Sequence, residues 1–175
     1  MVLSAGLLRV ERVETLAVRR QEAIDLEGAA DVLDSPRWLG TRIDGPPGYR
    51  RYISDLAFPL VTRPRTVVFR KAAFVDLGPV TTLLDGSVAA EVGWRSATLA
   101  PLFPVFAGRL LIRTDGVFLD GAYAPPFGEL GRLIDRAALH QVAVRTARWF
   151  LAATASHLAA GNPAGLDQPD SPAQG

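Results

Sequence analysis

Residues 129–160 have the sequence ELGRLIDRAALHQVAVRTARWFLAATASHLAA, which is typical of one long helix. The stretch contains no proline, and its only glycine is Gly131, near the start. Pro125 and Pro126 precede it and Gly161 follows it, so both boundaries carry residues that interrupt helices. A helix of this length would run about 45 Å at ~1.5 Å per residue. The pattern therefore predicts a C-terminal helix long enough to cross a small domain.

The apolar residues of this segment recur at three- and four-residue steps, which places them on one side of the predicted helix. The members of this stripe are Leu130, Leu133, Ile134, Ala137, Gln141, Val144, Leu151, Ala155 and Leu158. Arg148 interrupts the stripe. A charged group on a buried face must be paired or reach solvent, so Arg148 either anchors an anionic ligand or extends past the sheet, and the second interpretation is favoured.

The middle of the chain has the pattern of strands. Residues 65–77 are rich in valine and phenylalanine, and Gly78-Pro79 should end that strand. Between Ser87 and Ala97 the apolar residues alternate with polar or small ones, the period of a half-buried strand. The apolar side of this strand comprises Val88, Ala90, Val92 and Trp94.

Two sequence pairs predict tight hairpin turns. Asp85-Gly86 lies between two strand patterns, and Asp115-Gly116 lies between the strands 109–114 and 117–123. Consecutive hairpins give an antiparallel sheet, because parallel strands need long crossover connections. The second hairpin leads directly into the long helix. The sequence thus predicts an α+β fold.

The N-terminal third has a weaker pattern. Residues 9–20 fit either a strand or a helix, residues 27–33 a short helix, and residues 35–48 a loop that carries Trp38. A strand pattern resumes over residues 50–60. We expect a single domain over residues 1–160, in which residues 1–50 are the least regular, and a disordered tail over residues 161–175.

Composition excludes several classes of function. The 175 residues are 49% hydrophobic and 21% charged, with a formal net charge of +1, which does not suggest nucleic-acid binding. There is no cysteine, so disulfides, thiolate nucleophiles and the usual zinc sites are excluded. No apolar stretch is long enough for a transmembrane segment. We expect a cytoplasmic protein without a cofactor or a metal.

A Gly-x-Tyr-x-Pro-Pro-x-Gly run at 121–128 enters the predicted helix. Residues 102–110, Leu77-Gly78-Pro79 and Trp94-Arg95 form further motifs. Through these motifs, of which the run at 121–128 is the most specific, residues 65–160 resemble bacterial proteins of the START and polyketide-cyclase-like (SRPBCC) superfamily, in a subgroup whose activity is largely unassigned. The resemblance implies a helix-grip fold, in which a curved antiparallel sheet wraps around a long C-terminal helix and encloses a cavity for apolar ligands.

That implied cavity would be lined by residues from the strands and the helix. The candidates for ligand binding are Val92, Trp94, Phe106, Leu110, Ile112, Leu119, Tyr123, Leu133, Ile134, Ala137, Gln141 and Val144. Phe118 is a further aromatic candidate. The same side chains would also fill an ordinary core, so the pattern alone does not separate a pocket from a packed interior.

Acid–base chemistry has only two weak candidates, Asp120 and His140. Asp120 would be a buried carboxylate if it faced the cavity, but Val117, Leu119 and Tyr123 form the better inward set, which favours an exposed Asp120. His140 could act as a general base from the helix, although an exposed or satisfied histidine is favoured.

A metal site is not indicated, because the chain's two histidines lie far apart. His140 and His157 would be about 25 Å apart along the predicted helix. Motifs for phosphate loops, dinucleotide binding and nucleophilic serine are also absent from the sequence.

Three functions remain as hypotheses. The first is binding of a hydrophobic small molecule, lipid-like or aromatic, in an internal cavity. The second is a cyclase or dehydratase that uses acid–base residues in the same cavity. The third is a protein-interaction module without a ligand, which would use the arginine-rich surface. The absence of a recognisable catalytic motif favours a binding protein over an enzyme.

Overall fold

The computed structural model describes residues 14–62, 65–97, 105–124 and 136–161. Within these ranges, side chains are described outside residues 56–71, 136–139 and 161. The elements in chain order are β1 (Glu14–Gln21), α1 (Ala29–Asp34), a 3₁₀ turn (Arg37–Leu39), β2 (Thr41–Ile43), β3 (Arg50–Thr62), β4 (Arg65–Thr82), β5 (Val88–Ser96), β6 (Val105–Arg113), β7 (Gly116–Ala124) and α2 (Arg136–Gly161).

The described strands form one antiparallel sheet in the order β1-β7-β6-β5-β4-β3-β2. Strands β3 to β7 are a chain of consecutive hairpins, as the two predicted turns required. The first strand returns to the far edge and pairs with the last, from Glu14 opposite Tyr123 to Gln21 opposite Gly116. This pairing brings the N-terminal segment beside the hairpin that precedes α2.

The sheet curves around α2. The helix contacts β1 and β7 at one side of the sheet and β3 near the opposite edge. A flat sheet could not bring both sides against one helix, because strands lie ~4.8 Å apart and β3 is several strands away from β1. The twist of antiparallel strands supplies the curvature. The chain therefore has an α+β helix-grip fold.

The buried core lies on the concave face of the sheet, against α2. In β5, Val88, Ala90, Val92 and Trp94 are all buried, which confirms the predicted inward side of this strand. Leu33 of α1 and Leu39 of the 3₁₀ turn close the core from the N-terminal side, and each is 1% exposed.

The prediction that the strand over residues 65–77 ends at Gly78-Pro79 is wrong, because β4 continues through these two residues to Thr82. The register between β4 and β5 shifts between Leu77 and Val80, so the two residues form a bulge within the strand. A Cβ atom at Gly78 would lie 3.1 Å from Cβ of Glu91, so a larger residue there would be in tight contact with β5. Nη2 of Arg50 donates a hydrogen bond to the Gly78 carbonyl at 3.2 Å.

The hairpin between β6 and β7 turns one residue earlier than predicted. Arg113 pairs with Gly116, so Thr114 and Asp115 occupy the turn. Gly116 also pairs with Gln21 of β1 and has a φ of 149°. A Cβ atom at this position would collide with the carbonyl oxygen of Arg20. Glycine is therefore required by the close approach of β1 rather than by the turn itself.

The connection between β4 and β5 is longer than the predicted two-residue turn. The Leu83 amide donates to the Ser87 carbonyl at 2.7 Å, and Gly86 adopts a φ of 81°. The Asp85 carboxylate accepts hydrogen bonds from the hydroxyl of Ser87 at 2.5 Å and from its amide at 3.0 Å. The hydroxyl bond and then the amide bond hold the pKa of Asp85 below its ordinary value.

In the N-terminal third, the structure decides between the predicted strand and helix and locates the short helix. The segment predicted as strand or helix is a strand from Glu14, and the short helix lies at Ala29–Asp34, close to the prediction. The predicted loop over residues 35–48 contains the 3₁₀ turn and the short edge strand β2. The start of the predicted helix at Glu129 and the predicted tail lie outside the described residues.

Candidate functional site

A row of aromatic side chains crosses the concave face. The register pairs Trp94 of β5 with Phe106 of β6, and Phe106 with Tyr123 of β7. These three residues are 2%, 2% and 1% exposed. The rings of Trp94 and Phe106 are stacked, with centroids 4.1 Å apart and planes inclined by 19°. Directly opposite residues share one face of an antiparallel sheet, so the row follows from the alternation within each strand.

Two glycines make room for the ring of Phe106. Gly108 of β6 and Gly121 of β7 are paired directly opposite each other, next to the aromatic row. Cβ atoms built on Gly108 and Gly121 would lie 2.6 Å and 2.7 Å from Cζ of Phe106. The Phe106 ring therefore lies over the two glycines and forms the floor of the interior at this point.

The helix supplies the opposite wall through a set of residues that matches the predicted stripe only in part. Phe150 contacts Trp94, with ring centroids 5.6 Å apart. The predicted Leu151, Ala155 and Leu158 are buried. The remaining buried residues of the described part of α2 are Ala143, Thr146, Ala147, Phe150 and Thr154.

The prediction that Gln141 belongs to the buried stripe is wrong. Its side chain is exposed, and Val144 is only half-buried. Successive helical residues are about 100° apart, so Gln141 lies roughly opposite Phe150 around the helix axis. Arg148 is exposed as well, so it does not interrupt the buried face. The error arose because the stripe was extended from the N-terminal half of the segment.

The other predicted lining residues fall into two groups. Val92, Leu110, Ile112 and Leu119 are buried on the concave face, beside the aromatic row. Leu133 and Ile134 lie outside the described residues, as does the side chain of Ala137. Their part in a cavity stays a prediction.

Two residues of the convex face correct the list of candidates. Asp120 is exposed, and it is paired with Ala17 and Arg109 in the neighbouring strands. This position agrees with the favoured interpretation and removes Asp120 from the interior. Phe118 shares that face and lies 5.6 Å from the Arg113 guanidinium, so it cannot line the interior.

Three buried side-chain polar atoms have no hydrogen-bond partner in the part of the chain that the structure describes. They are Nε1 of Trp38 on the 3₁₀ turn, Nε1 of Trp94 on β5 and Oγ1 of Thr146 on α2. Thr146 is fully buried and lies one helical turn before Phe150, the residue that contacts Trp94. The hydroxyl of the equally buried Thr154 behaves differently, because it donates to the Phe150 carbonyl at 2.9 Å. A buried polar group without a partner costs ~1–3 kcal/mol.

A hydrogen-bonded cluster joins three elements at one end of the aromatic row. The Tyr123 hydroxyl donates to the Glu14 carboxylate of β1, and Nδ1 of His140 lies 3.0 Å from the same hydroxyl. Glu14 and His140 are half-buried. The sequence indicated His140 and Tyr123 separately. It gave no signal for Glu14, whose place depends on the pairing of β1 with a strand about 100 residues away.

A groove of about 350 Å³ lies near the short edge strand. It is lined by Trp38, Leu39, Gly40, Thr41, Ile53, Ser54, Asp55 and Trp149. The Trp38 ring packs on Phe150 and stacks on His157, with centroids 5.5 Å and 5.4 Å away. This groove lies at the start of β2, where Thr41 pairs with Ile53. Beyond Ile53, β3 pairs with β4 on one side and with no described strand on the other.

Neither a metal site nor a membrane-spanning helix is found in the described residues. No group of three or more histidine or acidic side chains within these ranges could hold a metal ion. Neither of the described helices is long and apolar enough to cross a membrane.

Comparisons with known proteins give similarities of shape only. No family model matches the chain, and no curated protein matches its sequence. A conserved protein from Geobacillus kaustophilus matches with a TM-score of 0.45 and 10% identity, over 86% of this chain and 97% of that one. A STAR-related lipid transfer protein from Xanthomonas axonopodis also matches with a TM-score of 0.45, at 19% identity, over 91% of this chain and 90% of the other. The fold assignment rests on the strand order and helix contacts of this chain itself.

Proposed function

We propose that the protein binds a hydrophobic small molecule between the concave face of the sheet and α2. The observation that carries the proposal is that two of the three buried polar atoms without described partners, Nε1 of Trp94 and Oγ1 of Thr146, lie between the sheet and α2. A ligand with an apolar body and a hydrogen-bond acceptor would accept a hydrogen bond from the indole N–H of Trp94. The proposal agrees with the resemblance of the sequence to the START and polyketide-cyclase-like superfamily, and we propose membership of that group.

Apolar burial is the largest favourable contribution to the free energy of such a complex. At ~25 cal/mol per Å², a ligand that hides ~300 Å² of apolar surface gains about 7–8 kcal/mol before the entropic cost of association. Micromolar affinity corresponds to ~8 kcal/mol. Each unpaired interior atom that the ligand satisfies recovers part of a ~1–3 kcal/mol penalty. Recognition therefore depends mainly on shape, and the polar atoms select the orientation.

We propose that the ligand lies along the row formed by Trp94, Phe106 and Tyr123. Val144 of α2 and the undescribed Leu133, Ile134 and Ala137 are the further candidates from the sequence. The stacked rings of Trp94 and Phe106 form the aromatic surface beside which an aromatic or extended aliphatic group would lie. Gln141 is left out because it is exposed.

The acid–base alternative keeps one candidate. A cyclase or dehydratase would need a proton-transfer group beside the ligand, and Asp120 faces away from it. His140 is still available, since its ring contacts Tyr123 at the end of the aromatic row. One imidazole is compatible with proton transfer but equally with ligand orientation, so binding without chemistry is the function we favour.

Retention of ligand by matched tryptophan variants tests the proposal. The protein is purified under non-denaturing conditions and examined by native mass spectrometry, and affinity is measured with the fluorescent apolar probe anilinonaphthalene sulfonate. Trp94→Phe keeps an aromatic ring but removes the interior donor, so retention and probe affinity should both fall. Trp149→Phe is the matched control, because Trp149 lines the edge groove instead. It should leave both measurements unchanged.

The opposite pattern would overturn the proposal. If Trp149→Phe weakened binding and Trp94→Phe did not, the ligand would occupy the edge groove near Trp38 rather than the interior. If the wild-type protein bound neither a retained molecule nor the probe, the interior would be an ordinary core. The third hypothesis, a protein-interaction module, would then be favoured.

A further inference from the structure

The cluster of Glu14, Tyr123 and His140 has a hydrogen-bond arrangement that determines which nitrogen of the histidine carries its proton. The Tyr123 hydroxyl has a single proton, which it donates to the Glu14 carboxylate, since a carboxylate only accepts. Nδ1 of His140 is 3.0 Å from that same hydroxyl oxygen. Because the hydroxyl proton is already used, Nδ1 must carry a hydrogen and donate it to the tyrosine oxygen.

This arrangement leaves the second nitrogen of His140 as an acceptor. In a neutral imidazole one nitrogen donates and the other accepts, so Nε2 has a lone pair available. No residue in the described ranges bonds to Nε2 of His140. The ring is half-buried, so the nitrogen is neither sealed in the core nor on a fully exposed surface. Glu14 and Tyr123 act as positioning residues for the imidazole.

The cluster lies at the end of the proposed binding row. Tyr123 is paired with Phe106, and Phe106 with Trp94, so the row crosses three adjacent strands. At ~4.8 Å per strand, Trp94 and Tyr123 are about 10 Å apart. An extended apolar molecule of that length would reach from the indole of Trp94 to the imidazole of His140.

We propose that Nε2 of His140 accepts a hydrogen bond from a hydroxyl group of the ligand, and that the protein therefore selects apolar alcohols or phenols over molecules that lack a donor. The inference rests on the proposed binding function and specifies the polar end of the ligand. It places the hydroxyl at the end of the row where β1, β7 and α2 meet, and the rest of the ligand along the row toward Trp94.

The second histidine of α2 provides a control within the same helix. Nδ1 of His157 lies 2.8 Å from the Ala153 carbonyl, and its ring stacks on Trp38. His157 is exposed, and it lies beside the edge groove rather than beside Tyr123. A substitution here changes the same residue type without touching the proposed hydroxyl site.

Two isomeric probes separate hydrogen-bond donation from apolar burial. Decanol and methyl nonyl ether have the same atoms and similar length, but only decanol can donate. Each is used to displace anilinonaphthalene sulfonate from the wild-type protein. Decanol should bind about 2- to 10-fold more tightly than the ether, the effect of one net hydrogen bond.

Variants of the cluster test whether His140 causes the tighter binding of the alcohol. His140→Phe should reduce the ratio of alcohol affinity to ether affinity to about one, and His157→Phe should retain the wild-type ratio. Tyr123→Phe should reduce the preference, because Nδ1 then loses the acceptor that fixes the position of its proton. His140→Gln, which can both donate and accept, should recover part of the preference and guards against a loss caused by misfolding.

The two proposals fail in different ways. Equal binding of both probes by the wild-type protein would overturn the hydroxyl site and leave the binding function intact. A preference that survives in His140→Phe would also overturn it. Failure of both probes and of the fluorescent reporter to bind would overturn the binding function and, with it, this inference.

Discussion

The two faces of the sheet differ in whether their polar side chains have hydrogen-bond partners. On the convex face, Arg51 and Asp76 form a two-point ion pair at 2.6 Å and 2.8 Å, although both side chains are partly in contact with water. The hydrogen bonds to Asp76 raise the pKa of Arg51. In the interior on the concave side, Nε1 of Trp94 and Oγ1 of Thr146 are out of contact with water and lack partners among the described residues.

This contrast supports the proposal that a bound molecule lies in the interior. Folding alone would favour the reverse arrangement, because an unpaired polar atom costs most where water is excluded. The convex face can exchange protein hydrogen bonds for bonds to water, whereas the interior cannot. The interior therefore carries a cost that a bound molecule would offset, and the convex face does not need one.

The largest expected effect is a difference in stability between alanine substitutions at two glycines, one on each face of the sheet. Gly108→Ala places a methyl group against the Phe106 ring and the backbone of β7, so the free energy of unfolding should fall by about 3 kcal/mol or more. Gly93→Ala on the convex face of β5 meets one carbonyl oxygen, of Phe106, at 3.1 Å. It should change stability by less than about 1 kcal/mol. Urea unfolding of both variants measures the difference, and equal effects would contradict the placement of Phe106.

A smaller effect is expected from the ion pair of the convex face. Asp76→Asn weakens both bonds to Arg51, whose side chain is 16% exposed, and should cost about 1–2 kcal/mol of unfolding free energy. Asp115→Asn is the matched control, since the Arg113–Asp115 pair is exposed at 52% and 57% and lies 3.1 Å apart. The control should cost under ~0.5 kcal/mol. Thermal unfolding at low and high salt would show whether only the first variant is destabilised.

The smallest effect concerns a tyrosine outside the interior. Tyr49 donates its hydroxyl proton to Glu91, and this hydrogen bond is the largest cause of a pKa raised above the ordinary value of 10.0. Glu91→Gln should return the pKa of Tyr49 toward that value, as measured by nuclear magnetic resonance of labelled tyrosine.

The sign of the stability effect follows from the raised pKa. The folded state holds the Tyr49 proton more tightly than the unfolded state, so the contribution is complete below the ordinary pKa. It is lost as the pH rises through the raised folded value. Wild-type protein should therefore lose slightly more stability than Glu91→Gln between these two pKa values. An unchanged Tyr49 pKa in the variant would contradict the hydrogen bond.

Local patterns predicted the parts of the fold that depend on local physics. The alternation of Val88 to Trp94 identified the inward side of β5, because the side-chain period of a strand is fixed. The choice of Leu119 and Tyr123 over Asp120 as inward residues succeeded for the same reason. Apolar spacing likewise identified the long helix over its described part, Arg136–Gly161.

Long-range packing decided what the sequence could not predict. The apolar residues of α2 extend around much of its circumference, so the pattern did not distinguish Phe150 from Gln141 as the centre of the buried face. The pairing of β1 with β7 brought Glu14 to Tyr123, and no local signal specifies a partner so distant in sequence. The same pairing places Gly116 within β7, opposite Gln21, and not in the turn.

The most direct test of the account compares two buried threonines on α2. Thr146 and Thr154 are both fully buried, but only Thr154 has a hydrogen-bond partner, the Phe150 carbonyl. Replacement by valine keeps the shape and removes the hydroxyl. Without ligand, Thr146→Val should raise the free energy of unfolding by about 1 kcal/mol, because it removes an unpaired polar atom.

The same substitution should weaken the binding of anilinonaphthalene sulfonate or of the retained molecule. Thr154→Val should leave binding unchanged and give no gain in stability. Urea unfolding and probe titration of the two variants provide the measurement. The account predicts that Thr146→Val is more stable and binds less tightly than the wild type. A Thr146→Val protein that is less stable and binds as well as the wild type would contradict the claim that the interior is built around a missing partner.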